Sequence, residues 1–172
     1  IIYYLLYSKI LYDYFLVSYS VFLLGFLDDL RINIKPLKRL MAMIFLLFLS
    51  IYFLPIKILN IDIPFLTSLI SNHIFSSIFV LLCFLFVING ANLIDGFNGL
   101  LAINLIIINI ILTYININNQ NLEFSILLIS QIIILLSFLL FNFPSAKIFL
   151  GDSGAYTMGA LVGLNTIITN NL

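Results

Sequence analysis

Six long apolar runs separated by short polar breaks constrain the fold of this chain more than any other feature. Each run has 14 to 18 residues, close to the ~17 that a helix needs to cross a bilayer's hydrocarbon core. They do not alternate apolar with polar as barrel strands do, so we predict helices whose backbones satisfy their own hydrogen bonds. The predicted spans are Ile10–Leu27, Leu37–Leu54, Ile74–Ile88, Leu100–Ile115, Phe124–Phe141 and Ala155–Ile168.

Composition supports an all-α, polytopic transmembrane helical bundle. Apolar residues make up 63% of the chain and charged residues 8%, against about 25% charged residues in soluble domains. The formal net charge is zero, which argues against a nucleic-acid partner because that needs a basic face. We interpret residues 1–172 as a single transmembrane domain, truncated at both ends, since the chain begins without Met and no linker divides it.

The order of the crossings predicts which polar breaks share a side of the membrane. Two crossings separate Asp28–Arg39 from Asn89–Asn98, and two more lead to Asn142–Ser153, so these three breaks face one compartment. Basic residues concentrate there, and the positive-inside rule makes that compartment the cytoplasm. These basic residues are Arg31, Lys35, Lys38, Arg39 and Lys147.

Some polar residues fall inside the apolar runs rather than in the breaks. Asn104, Asn109 and Gln131 lie well within predicted helices. We predict that they make hydrogen bonds between helices, worth about 0.6 kcal/mol each.

The first break contains adjacent carboxylates, Asp28 and Asp29, at the end of a predicted helix. Two neighbouring carboxylates form an oxygen-rich site for a hard cation such as Mg²⁺. The alternative is a charged helix end in the headgroup layer, held by Arg31 and Lys35.

The second break repeats a polar residue every third position, at Asn92, Asp95 and Asn98. One helical turn would bring the three to the same side. Gly96 and Gly99 remove side chains where a ligand or neighbouring backbone could approach. The alternative is a polar turn between helices with the aspartate as N-cap.

The third break, Asn142–Ser153, ends one helix at Pro144 and starts the next. Asp152 or Ser153 could cap that next helix, and its free N–H groups suit a phosphate. Asp152 could then hold the metal that accompanies the phosphate. A plain capped re-entry is the alternative.

The three segments, in this order and spacing, resemble the polyprenyl-phosphate N-acetylhexosamine-1-phosphate transferases. That superfamily includes the phospho-N-acetylmuramoyl-pentapeptide transferases and the transferases that initiate O-antigen and related glycans. The resemblance runs from about Val21 to Gly163. It implies transfer of N-acetylhexosamine-1-phosphate from a UDP-sugar to undecaprenyl or another polyprenyl phosphate with release of UMP. It further implies Mg²⁺ or Mn²⁺, a multi-pass protein of the plasma membrane and a cytoplasmic active site.

The resemblance also implies residue roles. The catalytic residues would be Asp28, Asp29 and Asp95, the first two handling lipid phosphate or metal. The metal ligands would be Asp152 and Asp95. Substrate contacts, including a uracil stacked on an aromatic ring, would come from Asn92, Gly96, Phe97, Asn98, Asn142 and Phe149.

Asn98 departs from the family pattern, in which a second aspartate is common at this position. An amide can still hydrogen-bond a uracil edge, but it cannot act as a base or an anionic ligand. The Asn form resembles the glycan-initiating branch more than the peptidoglycan branch, and a phospho-MurNAc-pentapeptide transferase is the alternative within the family. The family's histidine-rich loop and upstream basic loop lie outside the chain.

Two other classes remain as alternatives to a transferase. A transporter or channel usually places polar groups and broken helices near the bilayer midplane. Here the polar motifs lie at helix ends on one side, which favours chemistry at the membrane surface. The other alternative is an inactive, truncated relative that serves as a membrane component. The residues select neither one UDP-sugar nor an oligomeric state.

Overall fold

The computed structural model describes residues 9–30, 35–54, 56–59, 61 and 63–171, and these residues form seven α-helices with no β-strand among them. In chain order the helices are α1 (Lys9–Asp29), α2 (Pro36–Phe53), α3 (Pro64–Ile70), α4 (His73–Ile94), α5 (Leu100–Asn118), α6 (Leu122–Asn142) and α7 (Gly151–Asn170). Four of them, α2, α4, α5 and α6, are long and apolar enough to cross a membrane. The predicted all-α, polytopic membrane fold is therefore confirmed.

Each predicted span lies within a helix except for Leu54, which is the C-cap of α2, and two further boundaries differ from the prediction. α4 continues to Ile94, six residues beyond the predicted end at Ile88. Asn89 does not interrupt it, because its side-chain amide donates to the carbonyl of Leu85 at 2.7 Å on the same helix. The prediction also missed α3, a one-to-two-turn helix within the break between α2 and α4 that begins at Pro64.

α7 lies at the centre of the described bundle and packs on α1, α4 and α5. Small residues allow its neighbours to approach closely, as is common between membrane helices. A Cβ on Gly159 would lie 2.8 Å from the Cα of Ile88, and a Cβ on Gly163 would lie 2.9 Å from the ring of Phe84. These contacts fix how α4 and α7 are rotated toward each other.

Apolar side chains from five helices fill the space around α7. The larger buried cluster includes Val17, Val21, Met43, Leu47, Val80, Phe84, Ile88, Leu128, Tyr156 and Ala160. Most remaining apolar residues are exposed on the outside of the bundle, where lipid rather than water is their expected solvent.

A buried polar network joins four helices inside the apolar core. The Tyr14 hydroxyl donates to Asn165 at 2.8 Å and accepts from the side-chain amide of Gln131. The Asn165 amide donates to Asn109 at 3.1 Å and to Gln131 at 2.8 Å. The prediction of inter-helix hydrogen bonds is confirmed for Asn109 and Gln131. It is wrong for Asn104, which is exposed and bonds within its own helix.

Candidate active site

The three polar breaks meet at one end of the bundle, as the order of crossings predicts. Side chains from the end of α1, the start of α2 and the end of α4 all contact the first turn of α7. The centre of this arrangement is Asp152, which has direct contacts with Asp29, Arg39 and Asn92. Residues more than 100 positions apart thus form one polar cluster.

Asp29 caps α7 from another helix. Its two carboxylate oxygens accept hydrogen bonds from the backbone N–H groups of Asp152 at 2.9 Å and Ser153 at 3.0 Å. The prediction that Asp152 or Ser153 caps the helix is wrong, because α7 has no side-chain cap of its own. The carboxylate also occupies two of the N–H groups that were expected to face a phosphate.

Two glycines make room for this cap. A Cβ on Gly25 of α1 would lie 2.5 Å from the carbonyl oxygen of Asp152, so α1 reaches the start of α7 only because that side chain is missing. Gly151 has a φ of +69°, a conformation that glycine adopts without steric penalty. A Cβ there would lie 2.8 Å from a carboxylate oxygen of Asp29.

Arg39 is a site residue that the sequence reasoning counted only as a positive charge. Its Nη1 atom contacts the carboxylates of both Asp28 and Asp152, the latter at 3.1 Å. The expected partners of Asp28 and Asp29 were Arg31, which lies outside the described residues, and Lys35. The sequence could have indicated Arg39, because α2 begins at Pro36 and its first turn must lie on the same side of the membrane as Asp28.

Tyr156 lies beneath Arg39 and was not predicted as a site residue. It follows Asp152 by one helical turn, is 0% exposed, and its ring centroid lies 5.6 Å from the Arg39 guanidinium carbon. This distance is within the range of a cation–π interaction. The Tyr156 hydroxyl has no hydrogen-bond partner among the residues that the structure describes.

The second break contributes Asn92 directly to the cluster. Its side-chain amide donates to an Asp152 carboxylate oxygen at 2.6 Å. α4 ends at Ile94, so Asp95 terminates the helix and Asn98 lies in the following turn. The expectation that one helical turn aligns all three residues is wrong for Asn98, whose side chain instead donates to the Pro144 carbonyl at 3.0 Å.

The turns of the second and third breaks are joined through Asn142. Its side-chain Oδ1 atom accepts from the Gly99 N–H at 2.5 Å, and its side-chain NH₂ group donates to the Ile148 carbonyl at 2.8 Å. Gly99 is the N-cap of α5 and has a φ of +74°. Asn142 is buried, so it holds the two turns together, and its contact with substrate stays a prediction.

The remaining predicted substrate residues lie on the surface of these turns. Phe97 is 68% exposed and Phe149 is 64% exposed, so both rings are available to stack on a planar ligand. A Cβ on Gly96 would meet only the Leu93 carbonyl at 3.5 Å. Gly96 is therefore not required by local packing, and its proposed proximity to substrate stays a prediction.

The four carboxyl groups of the site, which all lie outside the predicted membrane spans, have pKa values that are shifted in different directions. A hydrogen bond with Asp152 and the Arg39 guanidinium lower the pKa of Asp28. Burial alone would raise the pKa of Asp29, but the hydrogen bonds from Ser153 and Asp152 hold it below its usual range. Burial raises the pKa of Asp152, and the hydrogen bond with Asp28 adds to this rise. Burial and the nearby charge of Asp152 raise the pKa of Asp95.

The donor set suits a cation that is shared between protein and substrate. Within the described ranges, no group of three or more His, Cys, Asp or Glu residues could hold a metal by itself. Mg²⁺ is commonly bound by one or two carboxylates together with substrate phosphates. Asp28 and Asp152, which meet on one Arg39 nitrogen, fit that pattern.

The fold and this cluster define a polytopic membrane protein with an acidic, arginine-containing site at one end of its helices. The family model described as glycosyl transferase family 4 matches residues 12–170. The chain belongs to this family.

Several similar relatives are named phospho-N-acetylmuramoyl-pentapeptide-transferase. The relative from Clostridium perfringens is 32% identical over 152 residues, which cover 84% of this chain and 48% of the relative. The relative from Leuconostoc mesenteroides is 36% identical over 142 residues, covering 82% and 43%. The relative from Orientia tsutsugamushi is 30% identical over 182 residues, covering 88% and 50%. The chain thus spans about half the length of these relatives.

Proposed function

We propose that the protein containing this chain transfers a sugar-1-phosphate from a UDP-sugar to a polyprenyl phosphate and releases UMP. One observation carries the proposal: Asp28, Asp29, Asn92 and Asp152 converge with Arg39 at one end of an apolar bundle. A lipid phosphate in the headgroup layer and a nucleotide from the aqueous phase would meet at that end. Family membership supports the same class of reaction.

The reaction forms one phosphorus–oxygen bond and breaks another. An oxygen of the lipid phosphate attacks the phosphorus that carries the sugar, and the bond between that phosphorus and the UMP oxygen breaks. The products are a lipid-linked sugar diphosphate and UMP. A phosphate monoester has a second pKa of about 6 and is mostly ionised near neutral pH, so the attack does not depend on a strong base. A bound Mg²⁺ or Mn²⁺ would neutralise charge on the phosphate oxygens.

The contacts divide the work among the carboxylates. Asp28 pairs with Arg39, and its lowered pKa makes it a poor proton acceptor; we assign it to organising phosphate and cation. Asp29 positions Asp152 by holding the first turn of α7. Asp152 is the proposed central ligand of the divalent cation, with Asp95 and Asp28 as the other carboxylates that would bind it, and Asn92 fixes the carboxylate of Asp152.

The exposed turns beside the cluster are the proposed nucleotide-binding surface. Phe149 would stack on the uracil, with Phe97 as a neighbouring ring, and the Asn98 amide oxygen would meet its polar edge. The amide nitrogen of Asn98 is engaged by Pro144, which orients the side chain. Gly96 leaves the turn open to a planar ligand.

Two sugar donors are candidates, each favoured by a different observation. The names of the relatives favour UDP-N-acetylmuramoyl-pentapeptide as donor. Asn98, where the family often has aspartate, favours an N-acetylhexosamine donor and synthesis of a cell-envelope glycan. The proposed lipid acceptor is undecaprenyl phosphate in both cases.

We propose that the site faces the cytoplasm from the plasma membrane. Lys35, Lys38, Arg39 and Lys147 all lie at the Asp152 end of the bundle or in its adjoining breaks. An excess of basic residues marks the cytoplasmic side of membrane proteins.

The deciding experiment measures UMP release by the full-length protein with undecaprenyl phosphate and either UDP-GlcNAc or UDP-MurNAc-pentapeptide. We expect Mg²⁺-dependent release with one donor and none after chelation. Asp152→Asn should abolish release while the protein stays folded. Uptake of an ion or sugar into vesicles without UMP release would favour a transporter. No turnover with an intact full-length chain would favour an inactive relative.

A further inference from the structure

We propose that Arg39 is a resident counter-cation, which a divalent cation must displace in order to bridge Asp28 and Asp152. The proposal rests on the proposed function, because it concerns the cation of the same site. It starts from one geometric fact, which is that a single nitrogen of Arg39 contacts an oxygen of each carboxylate.

The two cations cannot hold the bridging position together. Mg²⁺ binds carboxylate oxygens at about 2.1 Å, whereas the Arg39 nitrogen lies 3.1 Å from the Asp152 oxygen. A metal between the same two oxygens would overlap the guanidinium. The other oxygen of Asp152 accepts the Asn92 amide at 2.6 Å, and the oxygen that contacts Arg39 is the one for which both cations would compete.

Arg39 is held firmly enough to compete and loosely enough to leave. Its side chain is 27% exposed, so it has access to the aqueous side of the cluster. The buried ring of Tyr156 lies under the guanidinium and provides a platform that does not depend on the carboxylates. Once displaced, the guanidinium would stay beside the cluster with its N–H groups directed to phosphate oxygens, which it binds well.

This arrangement gives Arg39 two opposite effects. Without ligands it weakens cation binding, because the cation must remove an existing ion pair. With the nucleotide bound it supports turnover, because its charge contacts the phosphates. A residue that merely maintains the fold would weaken both cation binding and turnover when it is changed.

The test is Mn²⁺ binding to the full-length protein in lipid nanodiscs, measured by electron paramagnetic resonance without substrates. We expect Arg39→Gln to bind Mn²⁺ roughly tenfold more tightly than the unchanged protein, since a competing positive charge is gone. Arg39→Lys keeps a charge but loses the planar guanidinium, and we expect an intermediate affinity. Lys38→Gln is the matched control, because Lys38 precedes Arg39, carries the same charge and is exposed. We expect this variant to change the Mn²⁺ affinity less than twofold.

Tyr156 variants test the platform. Tyr156→Phe keeps the ring and removes a hydroxyl that has no described partner, so Mn²⁺ affinity should stay within twofold. Tyr156→Leu removes the ring, and Mn²⁺ should bind about threefold more tightly because Arg39 is held less well.

The outcomes separate this proposal from the proposed function. Tighter Mn²⁺ binding by Arg39→Gln, together with a raised KM for the UDP-sugar, supports both. Tighter binding by Arg39→Gln, when the unchanged full-length protein itself has no transferase activity, supports the counter-cation and refutes the proposed reaction. Unchanged or weaker Mn²⁺ binding in both Arg39 variants, or equal effects of Lys38→Gln, overturns the counter-cation even when UMP release proceeds normally.

Discussion

The carboxylate of Asp29 accepts the backbone N–H of Asp152 at 2.9 Å, across 123 positions of the chain. The second oxygen of the same carboxylate accepts the next N–H, that of Ser153. An acidic side chain at a helix N-terminus satisfies unpaired donors and interacts favourably with the helix dipole. The adjacent aspartates therefore differ in role: Asp29 builds the site, and Asp28 faces Arg39 within it.

Removing the cap should destabilise the protein. Asp29→Ala leaves two N–H groups of α7 without their acceptor, and we expect a loss of about 1 kcal/mol in the free energy of unfolding. Asp29→Asn keeps one acceptor oxygen and should recover at least half of that loss. Thermal unfolding of the full-length protein in detergent measures both. Equal stability of Asp29→Ala and the unchanged protein would contradict the capping role.

Gly151 should tolerate no side chain. Gly151→Ala forces a Cβ into a left-handed backbone conformation, which costs about 1–2 kcal/mol, and places it 2.8 Å from Asp29. We expect lower stability together with loss of UMP release, because the cap and Asp152 are displaced. Gly90→Ala is the matched control, since a Cβ there has no neighbour within 4 Å. It should leave the melting temperature unchanged or raise it, and an equal loss in both variants would count against the local explanation.

Asn92 should be sensitive to charge rather than to size. Its amide donates to Asp152 at 2.6 Å, so Asn92→Asp replaces a hydrogen bond by repulsion between two carboxylates. We expect UMP release to fall at least 100-fold, an effect on the order of 3 kcal/mol. Asn92→Leu, which removes the donor without adding charge, should lose less. Comparable kcat/KM values for both variants would show that the charge of position 92 has no bearing on the site.

The buried polar network should contribute to the stability of the bundle and not to catalysis. Asn165 makes three side-chain hydrogen bonds, to Tyr14, Asn109 and Gln131. At about 0.6 kcal/mol each, Asn165→Leu should cost about 2 kcal/mol. Asn104→Leu is the control, because Asn104 is exposed and bonds only within its own helix; it should change stability by less than about 0.5 kcal/mol.

The free energy of unfolding of Asn165→Leu and Asn104→Leu is measured in mixed micelles. KM for the UDP-sugar should be unchanged in Asn165→Leu under conditions where the protein stays folded, because the network lies away from the polar breaks. A similar loss of stability in both variants would show that the hydrogen bonds between helices contribute nothing specific.

The sequence predicted the helices well because the length of an apolar run is a local property of the sequence. In lipid, the backbone of such a run must satisfy its own hydrogen bonds as a helix. Every predicted span matches an observed helix to within one residue at Leu54, yet α4 continues past Ile88 and α3 was missed. Both errors come from residues that are usually read as helix breaks but that these helices accommodate. Asn89 bonds back to its own helix, and Pro64 fits a first helical turn. Asn98 was placed on the wrong element because α4 ends at Ile94 and Gly99, with its positive φ, is already the N-cap of α5.

The sequence by itself determined that this chain is a bundle of membrane helices whose acidic breaks share one end. Each crossing moves the chain to the opposite side of the membrane, and the number of crossings can be counted from the apolar runs. Only the tertiary structure decided how the carboxylates divide their partners. Asp29 could be assigned to a helix cap, and Arg39 to the bridge between Asp28 and Asp152, only once Gly25 had brought α1 against α7. Such pairings depend on distances of a few ångströms between residues far apart in sequence, and no local pattern encodes them.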